Sequence, residues 1–552
     1  MLAFMNPLFA TDAYKLSHKG FMVRGTSEIY SNGTPRNAKY LPVNKEDHDG
    51  KILWFGFQGS MQELVDSFDD NFFTRPKNIA IAELKFVFDC FLGPNAVDTK
   101  HFEQLHDLGY LPIRVKRIRE GKRVPMKVPV FTIRNTHKDF AWLTNFLETV
   151  LSAETWKATT VATIIAEYRK LINRFAMETV GNTAGTEFQI HDFSYRGMGN
   201  THDAAKCGTG FLLSSRGTDT VPALIYASRV YGANLATDFV GTSVPASEHS
   251  LASAGIAVEG ELETIRRWVT KDYPTGIVSV ISDTLDFFKV VTEYATALRE
   301  DILNRQPNAL GLAKVVFRPD SGKPQHIIAG YRIDPVNYTS REAVYSKYDN
   351  LVSTISTEVV VIQDRYFILK QDSLDGRVNC QKEISRAEAI GAVECLAEVF
   401  GTTVTAKGYK QLHERVGLIY GDSITLAIAK DTLQRLKEKG YASTNVVFGV
   451  GSFTCQYLTR DSMGFAVKAT STVVNGERFA LSKDPATDDG TKKSAKGLLR
   501  VDLVDGEFVL TDNCTEDQEA GGELELLFED GKFYNTQEFA EIRADAETYF
   551  AN

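Results

Sequence analysis

The sequence is poor in cysteine, and the cysteines that it has do not form metal-binding pairs. Six of them are scattered along 552 residues with no CxxC spacing, at Cys90, Cys207, Cys380, Cys395, Cys455 and Cys514. This scatter argues against a zinc site and is typical of reduced thiols in a cytoplasmic compartment. We therefore expect neither structural zinc nor a disulfide framework.

The chain also lacks a surplus of basic residues and long apolar runs. Its formal net charge of −9 gives no electrostatic case for binding nucleic acid. No apolar stretch approaches the length of a membrane span, and the first residues lack the basic flank of a secretory signal. The sequence therefore predicts a cytoplasmic protein with no nucleic-acid partner and no membrane partner.

What the sequence does contain is a series of short apolar runs that each end in a small polar cluster. An apolar run of this length that stops at Asp, Gly or Ser is typical of a buried strand whose carboxyl end opens into a loop. Repeated along a chain, the pattern predicts a β/α barrel with its active site on the carboxyl rim. The clusters are RGTDT around Asp219, SVPASEHS around His249, SVISD ending at Asp283, FRPDSG around Asp320, YGDS around Asp422 and FGVGS around Gly451.

The spacing of these clusters divides the chain into parts. Most intervals are about 30 residues, which fits one strand plus one helix, and a single interval of about 100 residues predicts an insertion. We expect an α+β region over 1–189 with a long helix at 153–180, a catalytic barrel over 190–467, and a β-rich segment over 468–552 that packs on the N-terminal part. The insertion, at about 326–383, is either a surface excursion or a regulatory or oligomerisation element.

Two clusters that contain glycine follow the last strands of the predicted barrel. FGVGS occupies 448–452, and YGDS occupies 420–423, one strand–helix unit earlier. Glycine allows backbone N–H groups to approach an oxyanion closely, and barrel enzymes bind phosphate after their last strands. The pair therefore favours a phosphate site, whereas either cluster alone is equally typical of a tight turn.

Two further clusters carry charged side chains. Arg318 of FRPDSG can bind a phosphate or a carbonyl through its planar guanidinium, and Asp320 can accept from sugar hydroxyls or hold Mg²⁺ through water. A structural salt bridge is the alternative. Glu248 and His249 of SVPASEHS can carry out proton or phosphoryl chemistry with Asp283 as a partner, and a purely structural histidine is the alternative.

In combination, the motifs resemble those of the nicotinamide phosphoribosyltransferases, a family of type II phosphoribosyltransferases of NAD salvage. The resemblance covers nearly the whole chain outside the insertion. It implies an α/β fold with an irregular β/α barrel and a second α+β domain formed by both ends of the chain. The motifs that carry it, in order, are ATDAYKLSH, HDFSYRG, RGTDT, SVPASEHS, SDTLD, RPDSG, YGDS, FGVGSFTCQYLTRD and SKDPATDDGTKKSAKG.

The resemblance implies a reaction and an assembly. Nicotinamide and phosphoribosyl pyrophosphate give nicotinamide mononucleotide and pyrophosphate with Mg²⁺, and ATP acts as a coupling substrate by phosphorylating His249. Glu248 and Asp283 would orient this histidine. The family forms homodimers in which each active site uses residues of both subunits, so we expect the same arrangement here.

The family motifs also imply which residues bind substrate. Phe193 would stack on one face of the pyridine ring and Tyr14 of the partner subunit on the other, an arrangement that orients the ring nitrogen toward the ribose. Asp219 would accept a hydrogen bond from the carboxamide, and Asp320 would hold the ribose or the magnesium-bound pyrophosphate. The remaining substrate-binding residues implied by the resemblance are Arg196, Ser243, Arg318, Gly421, Asp422, Gly451, Ser452, Arg460, Lys468 and Arg36.

One departure from the family pattern concerns the choice of base. Ser452 stands where close relatives usually have glycine, so FGVGS is nearer to the motif of the nicotinate branch. Asp219 favours nicotinamide, because a carboxylate facing nicotinate would meet like charge. The alternatives are a nicotinate phosphoribosyltransferase, a non-catalytic protein that binds nicotinamide or a nucleotide, and an unrelated phosphate-binding barrel enzyme such as a sugar-phosphate lyase or isomerase.

Overall fold

The computed structural model describes residues 5–43, 48–348, 356–372, 377–421, 424–482 and 495–550. Asp422 and most of the motif SKDPATDDGTKKSAKG lie outside these residues. Among the helices that it describes, none combines the length and the apolar character needed to cross a membrane.

A parallel sheet of six strands forms the centre of the molecule. The strands are short, β3 to β6 are mainly apolar, and all six hydrogen-bond in the order β2-β1-β6-β5-β4-β3. Each ends at one of the sequence clusters or motifs, as their patterning predicts. The strands are β1 (Ile190–Asp192), β2 (Gly217–Thr218), β3 (Gly276–Ile281), β4 (Ala313–Arg318), β5 (Val416–Tyr420) and β6 (Val447–Val450).

An extended segment at 242–247 joins the two edges of this sheet. Thr242 forms a parallel bridge to Gly217 of β2, and Ala246 forms one to Ser279 of β3. Backbone hydrogen bonds support both contacts, including Thr218 N to Thr242 O at 3.0 Å and Ser279 N to Pro245 O at 2.9 Å. The sheet therefore curls into a barrel, and the chain that follows the closing segment begins the helix His249–Glu259 at the rim.

Helices surround the barrel and connect its strands. Their buried faces pack against the apolar side of the sheet. In chain order they are Thr201–Phe211, Val221–Tyr231, His249–Glu259, Glu261–Arg267, Phe287–Lys289, Ala295–Ala297, Arg299–Leu303, Pro324–Ala329, Arg386–Ile390, Ala392–Phe400, Leu426–Glu438 and Ser452–Gln456.

Both ends of the chain build a second, antiparallel sheet of seven strands. Its order is Glu477–Ala480, Ala466–Val474, Thr26–Thr34, Phe131–Asn135, Ile113–Arg117, Glu525–Glu529 and Lys532–Phe533. Strand pairs formed by Lys51–Leu53 with Arg123–Pro125, Leu498–Val504 with Glu507–Cys514, and Thr402–Val404 with Lys410–Leu412 lie outside the two large sheets. The predicted fold class, a β/α barrel with an α+β domain from both ends of the chain, is confirmed.

A long helix, Ala141–Thr179, connects the two sheets. It begins earlier than the predicted start at 153, because residues 141–152 continue the same spacing of buried apolar side chains without Gly or Pro. Its contacts reach strands of the seven-stranded sheet and helices of the barrel, so it fixes their relative position. The other helices outside the barrel are His18–Phe21, Phe57–Phe68, Lys77–Leu92, Lys100–Leu108, Glu516–Glu519 and Phe539–Glu547.

The predicted insertion forms a small sheet of its own. Its strands pair in the order Ile333–Tyr338, Val359–Ile362, Arg365–Gln371 and Val378–Ile384, beside the helix Arg341–Tyr348. A separate apolar cluster fills the space between helix and sheet. The chain leaves the barrel at Gly330 and returns at Gly391, and the two glycines touch: a Cβ on Gly391 would lie 2.2 Å from the nitrogen of Gly330.

Candidate active site

The carboxyl ends of the six strands bring most of the predicted residues to one rim. This is the expected geometry, because parallel strands of a barrel all end on the same side. Phe193 follows β1, Asp219 follows β2, Asp283 follows β3, Arg318 ends β4 with Asp320 two residues on, Gly421 follows β5 and Gly451 follows β6.

His249 lies at the centre of a polar group on this rim. Its Nε2 is 3.1 Å from Asp320 Oδ1 and 3.6 Å from Asp283 Oδ1, and its Nδ1 is 3.0 Å from Thr284 Oγ1. About 45% of the side chain is exposed, so a substrate can reach the ring. Glu248, expected to orient His249, is also exposed, and its carboxylate accepts from Ser250 Oγ.

Asp283 organises the loop that follows β4. Its Oδ2 accepts from the backbone nitrogens of Asp320 and Ser321, both at 2.9 Å, and from Ser321 Oγ at 2.6 Å. Its Oδ1 is buried and makes no hydrogen bond. A buried carboxylate oxygen without a donor is costly, so this atom is suited to a group that arrives with substrate or to the proton on His249 Nε2.

The same residues fit a hydrated divalent cation. One ligand atom each from His249, Asp283 and Asp320 lie within 4.8 Å of one another. Mg²⁺ prefers carboxylate, water and phosphate oxygens and usually takes only one or two carboxylates from the protein. Asp320, with the free Oδ1 of Asp283 beside it, meets that requirement.

Arg318 lies half-buried between two groups of carboxylates. Its guanidinium donates to the backbone oxygen of Ser247 in the closing segment. Burial lowers the pKa of Arg318 below its usual value, and the negative charges of Asp320 and Asp219 oppose that shift. The guanidinium is therefore close enough to interact with both Asp219 and Asp320. It can bind an anion that lies between these two carboxylates.

Asp219 is held by two donors. Its Oδ1 accepts from His191 Nε2 at 2.9 Å and from Ser243 Oγ. Burial would raise the pKa of Asp219, but the hydrogen bonds from His191 and Ser243 outweigh burial and hold that pKa below its usual value. Both donors use Oδ1, so Oδ2 has no hydrogen bond within the described part of the chain and remains available as an acceptor.

Phe193 lies beside His191, which donates to this carboxylate. Its ring centroid is 4.6 Å from that of His191, and its other neighbour is the backbone of Gly449 on β6. A Cβ on Gly449 would lie 2.6 Å from the Phe193 ring and 2.5 Å from the Tyr420 carbonyl oxygen. Because Gly449 has no side chain, the Phe193 ring can lie directly against the backbone of β6.

Gly449→Ala is expected to displace the Phe193 ring and to raise KM for the base more than tenfold, because a misplaced stacking partner loses much of its binding energy. Steady-state kinetics with varied base measures this, with KM for the phosphoribosyl donor as the internal reference. Gly20→Ala provides the control for a changed glycine, because φ of Gly20 is not positive and a Cβ there would meet nothing within 4 Å. Equal KM values for base in the wild type and Gly449→Ala would contradict this placement.

The loop after β1 packs against the loop after β6. Ser452 Oγ lies so close to Gly197 that a Cβ there would be 2.1 Å away, and Arg196 precedes this glycine in an exposed turn. Lys157 of the long helix joins the two loops, since its Nζ contacts both Asp203 and Gln456. The structure thus brings Arg196, Gly451 and Ser452 together.

Tyr14, Arg460, Lys468 and Arg36 form a second group away from the rim. Lys468 Nζ pairs with Glu148 at 3.2 Å, and Tyr14 is 61% exposed. Partial burial and the carboxylates of Asp12 and Glu148 raise the pKa of Tyr14, while Arg460 opposes the rise. Tyr14, Arg460 and Lys468 are therefore neighbours, with Glu148 close to both Tyr14 and Lys468.

Arg36 belongs to the same surface. Its Nε donates to the backbone oxygen of Gly464 at 2.7 Å, and its backbone nitrogen donates to Met463 at 2.9 Å, directly after the turn that carries Arg460. No hydrogen bond or ion pair between described residues joins these four side chains to the barrel rim. The contacts of the described residues therefore leave the predicted site residues in two groups, one at the rim and one around Tyr14.

Comparison with known proteins identifies the family. The profile of the nicotinate phosphoribosyltransferase (NAPRTase) family matches residues 188–532. The chain belongs to this family. It is 46% identical over 540 residues to a nicotinamide phosphoribosyltransferase of Acinetobacter baylyi, covering 98% of this chain and 96% of the relative. It is 29% identical to a nicotinamide phosphoribosyltransferase of Mycoplasma pneumoniae, with 89% and 94% covered.

A solved structure shares the fold of this family member. The nicotinate-nucleotide pyrophosphorylase of Pyrococcus furiosus superposes with a TM-score of 0.50 at 13% identity, covering 99% of this chain and 97% of that one. At this level of identity the likeness concerns the fold alone. The resemblance seen in the motifs is confirmed by the relatives.

Two residues at the site, His191 and Thr284, were missed by the sequence analysis. His191 precedes Phe193 by two positions on a strand, and residues two apart face the same side, so its place beside the base site was predictable. Thr284 follows Asp283 directly, but its contact with His249 joins two different loops. Sequence spacing carries no signal for a contact of that kind.

Proposed function

We propose that the chain is a nicotinamide phosphoribosyltransferase that transfers phosphoribosyl from phosphoribosyl pyrophosphate to nicotinamide. The activity named for the Acinetobacter baylyi relative supports this. The observation that carries the choice of base is Asp219, an acceptor whose Oδ1 is held by His191 and Ser243 and whose Oδ2 makes no hydrogen bond within the described residues. Nicotinamide can donate its amide N–H to that oxygen, whereas nicotinate would bring a second negative charge.

The base is held by its ring and by its amide. Phe193 stacks on one face of the pyridine, and His191 with Ser243 fixes the Asp219 carboxylate in the plane of the amide. Two fixed contacts at different points of a flat ring leave it little freedom to rotate. The ring nitrogen is thereby aimed at the ribose carbon that it attacks.

Charge separation in the transition state explains the groups around the leaving pyrophosphate. As its bond to ribose breaks, positive charge develops on the sugar and negative charge on the departing oxygens. Arg318 stabilises those oxygens, and Asp320 accepts from the ribose hydroxyls or from water on Mg²⁺. Bound Mg²⁺ would supply further charge to the pyrophosphate. Backbone N–H groups that follow Gly451 would bind the 5′-phosphate, since the N–H of Gly421 already donates to the backbone oxygen of Pro319 at 3.0 Å.

We extend the proposal to phosphorylation of His249 by ATP. The ring is exposed, its nitrogens are fixed, and it occupies the first turn of the helix His249–Glu259. A phosphoryl group on that ring would lie near the positive end of the helix dipole and near Arg318. Cycling through the phosphorylated state would couple ATP hydrolysis to mononucleotide synthesis.

The separation of Tyr14, Arg36, Arg460 and Lys468 from the rim supports a homodimer with shared sites. An exposed aromatic ring among three cations is what the open face of the base and the phosphates need. Within one chain, no hydrogen bond or ion pair between described residues joins this group to the barrel residues. A second copy of the chain can place it over Phe193 by twofold symmetry. Each dimer would then hold two complete sites.

Complementation between two inactive variants tests the shared site. Tyr14→Ala removes the stacking partner, and Asp219→Ala removes the amide acceptor. If these residues belong to different subunits of one site, a mixed dimer contains one intact site, and a refolded equal mixture should recover about a quarter of wild-type activity. Tyr14→Phe keeps the stack and should stay active. A mixture no more active than its components, or a fully active monomer by light scattering, would contradict the shared site.

Purified protein should form mononucleotide from phosphoribosyl pyrophosphate and nicotinamide with Mg²⁺, faster with ATP. The same assay with nicotinate tests the second candidate function, to which Ser452 and the name of the family profile point. Turnover of nicotinate alone would show that the role assigned to Asp219 is wrong. Binding of nicotinamide without turnover would identify a binding protein instead.

A further inference from the structure

Among the described residues that make polar contacts with the His249 ring, Thr284 is the one to which the proposed chemistry has so far given no role. Its Oγ1 lies 3.0 Å from His249 Nδ1. The hydroxyl comes from the loop after β3, whereas His249 follows the segment that closes the barrel. The contact therefore joins two loops at the rim and fixes one edge of the imidazole.

The opposite edge of the ring determines which nitrogen carries the proton. Nε2 faces two carboxylate oxygens, Asp320 Oδ1 at 3.1 Å and Asp283 Oδ1 at 3.6 Å. Ionised carboxylates only accept, so Nε2 must be the N–H of the neutral ring. Nδ1 then has a lone pair, and the Thr284 hydroxyl must donate to it.

We propose that Thr284 is a positioning residue that holds His249 in the Nε2–H tautomer and so prepares Nδ1 to accept a phosphoryl group. The inference rests on the proposed function. In the step, the Nδ1 lone pair attacks the γ-phosphorus of ATP, a nitrogen–phosphorus bond forms, and the bond to the bridging oxygen of ADP breaks. The proton stays on Nε2, where the Asp320 carboxylate accepts its hydrogen bond and balances the positive charge that the ring gains. The Thr284 hydroxyl turns to the new phosphoryl oxygen.

The choice of substitutions follows from this geometry. Thr284→Val keeps the shape of the side chain and removes the donor, whereas Thr284→Ser keeps the donor. Thr296→Val is the matched control, because Thr296 is exposed and its hydroxyl donates to the backbone oxygen of Thr292, one turn earlier in the chain and away from His249. All three proteins should have the melting temperature of the wild type within a few degrees.

The first measurement is incorporation of phosphate from γ-labelled ATP into the full-length protein. Thr284→Val should lower its rate about tenfold or more, as expected for the loss of one orienting hydrogen bond, while Thr284→Ser and Thr296→Val stay within about threefold of wild type. If Thr284→Val is labelled as fast as wild type, the positioning role is wrong. If wild-type protein forms no mononucleotide with or without ATP, the proposed function fails instead.

A second measurement determines directly which ring nitrogen of His249 carries the proton. In protein with ¹⁵N-labelled histidine, His249 should show the Nε2–H tautomer, identified by comparison with His249→Asn. Thr284→Val should shift the signal toward a mixture of tautomers, a change that a merely structural role for the threonine would not produce. Identical histidine spectra for wild type and Thr284→Val would overturn the proposal.

Discussion

Replacing His249 with asparagine should abolish phosphate incorporation from ATP, a loss of at least about a thousandfold, because no other group takes the place of a missing nucleophile. Mononucleotide formation should fall to the rate that the wild type reaches without ATP. Asparagine preserves much of the size of the ring and one donor toward Asp320. The effect therefore reports the chemistry of the ring and not an empty space at the rim.

The control for this substitution is another exposed histidine. His137 has 46% of its side chain exposed, close to the 45% of His249, and lies near Asp139 outside the barrel. His137→Asn should leave labelling and ATP stimulation unchanged. Undiminished labelling of His249→Asn would place the phosphoryl group elsewhere and remove the basis for the coupling proposed here.

The second large effect concerns Asp219. Asp219→Ala should lower kcat/KM for nicotinamide by about 10- to 100-fold, the range for losing a hydrogen bond to a charged acceptor, and should change kcat/KM for nicotinate much less. The preference between the two bases should therefore shift at least tenfold toward nicotinate. Parallel kinetics with both bases at saturating phosphoribosyl pyrophosphate measures this ratio.

Ser243→Ala gives the graded comparison for Asp219. It removes one donor from the carboxylate but leaves His191 in place, so the loss for nicotinamide should be smaller and in the same direction. The hydrogen bonds hold the pKa of Asp219 below its usual value, so the preference for the amide should persist as the pH falls toward that value. An unchanged base ratio in Asp219→Ala would show that another group selects the base.

Much of the barrel was predictable because strand ends are local features. The runs before Asp283, Arg318 and Gly451 are short and apolar, are followed by polar or glycine residues, and end at the rim. The strand before Asp219 is only Gly217–Thr218 and is defined by its pairing with β1. A strand was also predicted before the cluster around His249, but the segment there forms isolated bridges instead of a regular strand. Residues 242–247 contain Pro245 and alternate little in polarity, and their extended form depends on pairing with β2 and β3.

The arrangement of side chains at the site was only partly encoded in local sequence. Charge and residue type indicated His249 and Asp283, but the contacts of His249 with Asp320 and Thr284 depend on how three separate loops fold. The separation of Tyr14 from the rim also required the full fold, because motifs in one sequence do not show whether they meet within one subunit. The contacts of His249 and the placement of Tyr14 therefore depend on the folded and assembled structure, which the motifs alone do not give.

The contact between Gly330 and Gly391 marks a place where a module can be inserted into the barrel or removed from it. Both residues adopt positive φ, 71° and 85°, and their backbones touch, so the chain enters and leaves the insertion through one narrow neck. A neck of this kind lets the length of the inserted module change without moving β4 or β5, since the ends to be joined are already adjacent. The positions of the side chains at the rim therefore need not change when the whole module is gained, lost or replaced.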